Sequence, residues 1–184
     1  MPAEAAGPVD AGTDAFDTIM ATLSSPMVVV TTAMGDERAG CLVGFHVQAS
    51  IEPPRYCVWL SKANHTYRVA IRASHLAVHF LTSDDRDLAR IFGTESGDTL
   101  DKFDLCDTEP GPHGMPLLSR CANRLVARRV ALLDAGGDHV CVLAEPIDVQ
   151  ASALFTPLRL ADVSDLDAGH EAEERDDPPT ERAS

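Results

Sequence analysis

The chain contains no run of eighteen apolar residues, which excludes a membrane-spanning helix. Met1 to Thr13 lacks both a basic start and an apolar stretch, so no secretory signal is expected and the protein is read as cytoplasmic. Cations are few: 15 Lys and Arg stand against 29 Asp and Glu, a formal charge of −14. Binding to a phosphate backbone needs a basic face, so nucleic acid is not an expected partner. The five cysteines include no C-x-x-C pair, and their odd number points to free thiols and no metal site. The G-x-G-x-x-G fingerprint of a Rossmann domain and the G-x-S-x-G elbow of a hydrolase are both missing.

What is present suits one globular domain: 45% apolar and 24% charged residues over 184 positions. The charge is uneven. Asp162 to Ser184 holds nine acids against Arg175 and Arg182, a net −7, with almost no apolar residues after Leu166. Such a segment buries too little surface to offset ordering entropy. The expected organisation is a loose N-terminus over 1–12, a folded domain over 13–160 and an acidic, disordered tail over 161–184.

Within the domain, Phe16, Ile19, Met20 and Leu23 stand at helical spacing. Met27 to Thr32 is a β-branched run, Gly35-Asp36 a turn, and Ala39 to His46 a returning strand. Tyr56 to Leu60 predicts a buried strand. Asn64 can cap a helix running to Ala73, and His75 to Leu81 alternates as a strand does. A short helix over 86–92 and a long loop over 93–116 follow. Strands over 124–133 and 139–149 are joined by Asp134 to Asp138. Strands with isolated helices predict a mainly β fold, an antiparallel barrel with appended helices. His75 and His79 share a strand face and read as packing. Arg128-Arg129 reads as a source of surface or dimer salt bridges.

Four motifs could carry chemistry. Gly40 to Pro54 (GCLVGFHVQASIEPP) has small residues, Gly44, Ala49 and Ser50, that let a flat ring approach backbone donors. Without a ligand it is a barrel strand with a kinked end. Ser61-Lys62-Ala-Asn64-His65-Thr66 brings one charge and several donors to a helix start, which suits either a phosphate or simple capping. Asp101-Lys102-Phe103 follows the long loop, as a lid or as a solvated charge pair beside a packed Phe. Gly137-Asp138-His139 makes a hairpin turn, or sets a histidine that can donate to a ligand's carbonyl or amide.

In this order the four motifs resemble the flavin reductase family, over residues 27 to 150. The resemblance implies an antiparallel split β-barrel of the FMN-binding type, with FMN at the interface of a homodimer. It places Cys41, Leu42, Val43, Gly44, Gln48, Ala49 and Ser50 along the flavin ring and ribityl chain. Ser61, Lys62, Asn64 and Thr66 would take the phosphate, Lys102 and Phe103 would close over the flavin, and His139 would set hydride geometry. The implied activity is hydride transfer from NAD(P)H to FMN, or to FAD, with reduced flavin passed to a flavin-dependent monooxygenase or a bound acceptor. Two other readings of a split barrel stay open: a non-catalytic flavin- or haem-binding protein, and an oxidoreductase using the deazaflavin F420. The end of the chain departs from the family's usual Tyr-, Arg- and Gly-rich ending, so no C-terminal contact carries over.

Overall fold

The computed structural model describes residues 13–152 and 154–166. The N-terminal segment 1–12 and the acidic stretch from residue 167 onward lie outside the described residues. Helix α1 (Thr13–Leu23) leads into β1 (Val28–Met34), which turns at Gly35-Asp36 into β2 (Glu37–Val43). Gly35 takes φ +61°, a conformation glycine adopts without strain, and this holds the register from Val28↔Val43 to Met34↔Glu37. After Gly44 and Phe45 come β3 (His46–Ser50), β4 (Arg55–Ser61), α2 (His65–Ala70), β5 (His75–Phe80) and α3 (Arg86–Thr94). The long antiparallel pair β8 (Arg124–Leu133) and β9 (His139–Gln150) completes the sheet.

The strand order is β2-β1-β5-β8-β9-β4-β3, every pairing antiparallel. Its two outer strands, β2 and β3, are consecutive in the chain. The Gly44-Phe45 link therefore draws one edge towards the other and rolls the sheet, and Phe45 seals the junction by accepting the Trp59 N–H at 2.9 Å. The result is a split β-barrel.

β1 explains its own sequence. Val28 and Val30 face the barrel interior with Val43, Val58, Leu60, Val78 and Val142. Val29 points to the other face, against Leu88, Ala89, Phe92 and Leu118 beneath α3. A strand buried on both faces reads as an unbroken apolar run, not an alternation.

Two expectations need correction. The segment 93–116 is not loop throughout: it holds a 3-10 turn at Lys102–Leu105 and the strand β6 (Thr108–Pro110), which pairs with β7 (Pro116–Leu118). Phe103, Met115, Leu117 and Leu118 are buried, and that apolar area draws the segment onto the sheet. Likewise the packed chain runs past residue 160, because Val163 is buried beneath α3 and Leu166 packs beside it.

Arg128 pairs with Glu145 across the β8–β9 ladder, and Arg129 donates to the Ile71 carbonyl at 2.8 Å. All five cysteines are free thiols, four of them buried. Among the described residues no helix is long and apolar enough to cross a membrane.

Candidate functional site

A cavity of about 430 Å³ opens where the two sheet edges meet. One wall is the edge strand β2 and its exit, Cys41, Leu42, Val43 and Gly44. Among the described residues β2 pairs in the sheet only with β1, so alternate backbone N–H and C=O groups face its outer edge, where a planar heterocycle with polar rims finds donors and acceptors. The second wall comes from the end of β4, Trp59, Leu60 and Ser61, with Asn64 at the corner. His139 and Phe45 form one side, their rings 5.3 Å apart and edge-on. Met20 and Leu23 of α1 form the last.

Seven of the residues singled out in the sequence thus meet at one cavity: Cys41, Leu42, Val43, Gly44, Ser61, Asn64 and His139. Asn64 Oδ1 accepts the Thr66 N–H at 2.9 Å and caps α2, which leaves its amide NH2 for the cavity. His139 is oriented by Asp138, whose carboxylate engages Nδ1 at 2.9 Å, so chemistry at the cavity falls to Nε2. The same contact holds the Asp138 carboxyl below its usual range. Burial raises the Cys41 thiol against the opposing pull of the Lys102 charge, and it stays protonated near neutral pH.

The other candidates lie elsewhere. Gln48, Ala49 and Ser50 sit on the outer strand β3, where the ladder shifts register between Gln48↔Tyr56 and Ser50↔Arg55. Thr66 is buried, its hydroxyl hydrogen-bonded to Cys41. Lys102 is 4% exposed, and its ammonium donates to the Gly40 and Phe92 carbonyls at 3.1 and 3.2 Å. It is a strut between β2 and α3, not a lid. Phe103 stacks edge-on against Phe92 at 5.5 Å. Lys62 turns to Asp134 at 3.0 Å.

Trp59, Phe45 and the α1 residues were missed in the sequence. For Trp59 a signal existed: it stands two residues before Ser61 on a strand, hence on the same face. The α1 residues carry no such signal, because nothing local tells which surface the helix lies on.

Residues 20–162 match the family described as flavin reductase like domain. The chain is 28% identical over 130 residues to FMN reductase (NADH) SmoA of Agrobacterium fabrum, spanning 71% of this chain and 72% of that protein. It is 24% identical over 127 residues to HsaB of Mycobacterium tuberculosis, the reductase subunit of a flavin-dependent monooxygenase, spanning 69% and 66%. Among solved structures, a flavin reductase domain protein from Arthrobacter sp. FB24 superposes with a TM-score of 0.71 at 21% identity, covering 79% of this chain and 88% of that one. Rolled sheet, edge-strand cavity and family match coincide on the same residues: the chain belongs to the flavin reductase-like domain family.

Proposed function

We propose that this chain is an NADH-dependent flavin reductase that holds FMN in the cavity between β2, β4 and β9. The observation that carries the reading is the convergence of the β2 sheet edge, the Ser61–Asn64 corner and an oriented His139 on one cavity. The cavity fits such a ligand. Its volume of about 430 Å³ lies within the range of small-molecule sites, its walls are mainly apolar, and its polar groups are few and at the edges.

Cys41 to Gly44 would meet the ring through the β2 backbone. Ser61 and Asn64 would donate to the phosphate end, with Lys62 supplying charge beside them. FMN, once bound, supplies the ring that accepts hydride from the nicotinamide. The chain's own residues bind and orient it, with α1, Phe45 and Trp59 forming apolar parts of the wall. His139, fixed through Nδ1, holds or accepts a proton at Nε2.

A homodimer is part of this reading. Phe16, Ile19 and Leu23 of α1 are each more than half exposed, beside exposed Phe45 and Val47, and a second copy would cover this apolar area. HsaB's place in a monooxygenase supports a further step, in which reduced flavin leaves for a partner oxygenase.

The test is NADH oxidation with FMN in excess. A rate at background would refute the enzyme reading. His139→Gln is expected to lower kcat by about 100-fold, the contribution of a positioned proton-transfer group, while leaving FMN affinity little changed. A stopped assay on both proteins, with FMN binding measured separately, checks this.

A further inference from the structure

Asp134 begins the turn between β8 and β9, and its two carboxylate oxygens have separate partners. Oδ1 accepts the Gly136 N–H at 2.8 Å, shaping a turn in which Gly136 takes φ +86°. Oδ2 accepts the Lys62 ammonium at 3.0 Å. The Lys62 backbone N–H also donates to the Asp138 carbonyl at 2.9 Å. The turn that leads into His139 is therefore stitched to the β4–α2 corner at two points. The Lys62 side chain is 13% exposed and that of Asp134 49%. A lysine flanked by two cavity residues, Ser61 and Asn64, already has an internal counter-charge.

We infer that Asp134 is an internal competitor for the anionic end of the ligand, a specificity-determining residue that keeps a phosphate-bearing flavin exchangeable. This rests on the reading that Lys62 serves the FMN phosphate. A phosphate monoester carries about −1.5 to −2 charges at neutral pH, so it outcompetes one carboxylate for the ammonium. The half-exposed Asp134 keeps its Oδ1 contact with Gly136 while Oδ2 is left to water at little cost. Binding must still break the ion pair, which weakens affinity, and Asp134 retaking Lys62 as the ligand leaves puts that loss into faster departure. A reductase that hands on its product gains from that. Riboflavin has no phosphate and makes no use of Lys62, so Asp134 does not affect it.

Asp134→Asn tests this cleanly, because the amide oxygen can keep the Gly136 contact while the charge goes. Calorimetric titration of FMN, riboflavin and NADH, with stopped-flow release of FMN, is the measurement. Asp134→Asn is expected to tighten FMN about threefold, within the range for a partly exposed ion pair, and to slow its release equally. Riboflavin and NADH should not change. Lys62→Met should weaken FMN about tenfold, and the double variant should match Lys62→Met alone. If Lys62→Met weakens FMN but Asp134→Asn leaves it unchanged, or weakens FMN and riboflavin together, Asp134 only shapes the turn and the inference fails alone. If Lys62→Met leaves FMN unchanged, the phosphate reading fails and takes the inference with it. An effect confined to NADH assigns the corner to the nicotinamide dinucleotide, and likewise overturns it.

Discussion

Gly44→Val is expected to weaken FMN binding by about 100-fold or more while the fold survives. Gly44 lines the cavity at the exit of β2, and its backbone is not in the left-handed region. A Cβ added there would sit 3.4 Å from Sδ of Met27, an ordinary contact with the flexible end of a methionine. The two further methyls have the cavity beside them. A planar ligand seated on this wall loses both its room and its approach to the β2 backbone. Overpacking should lower stability by about 1–3 kcal/mol at most. FMN titration and a denaturant melt, run on the same sample, separate the two effects. Unchanged affinity would place the ligand away from β2.

Lowering the pH from 7 to 4 is expected to destabilise the fold by about 3 kcal/mol through His79 alone. His79 is fully buried, with Nδ1–H donating to the Val29 carbonyl at 3.1 Å and Nε2 accepting the Leu118 N–H at 3.1 Å. Both nitrogens are committed to the neutral ring. Burial pushes its pKa down from 6.5 to about 4, with Arg124 adding to the shift and the Val29 carbonyl opposing it. Above pH 6.5 neither folded nor unfolded chain is protonated here, and the full contribution of His79 is present. Between 6.5 and about 4 the unfolded chain takes a proton that the folded chain refuses, so stability falls as pH falls. His46, also held down by burial, acts in the same direction. Urea melts of the wild type and of His79→Gln across this window check the claim. The variant should start less stable and show a flatter slope; parallel curves would contradict it.

How much of this was legible in the sequence follows from how local each feature is. The Gly35-Asp36 turn and the Asn64 cap are decided by neighbouring residues, and both stand as read. Seven cavity residues came from motifs whose spacing fixes them to one strand edge or one corner. Lys102 went the other way. A lysine next to Asp101 reads as surface, and only the fold reveals the Gly40 and Phe92 carbonyls that hold it inside. The Lys62–Asp134 pair joins segments far apart in the chain, which no local pattern reports. The apolar spacing of α1 correctly gives a helix, yet its Phe16, Ile19 and Leu23 do not enter this chain's own core. Periodicity tells that a face is apolar, not what covers it.

The chain has a single tryptophan, and it lines the cavity. Titrating FMN against Trp59 fluorescence therefore reports binding from inside this site, and the Gly44→Val variant assigns the signal to it. Saturable quenching that reaches one FMN per chain, and is lost in Gly44→Val, is the expected result. Emission from Trp59 that stays constant as FMN is added in excess would contradict it.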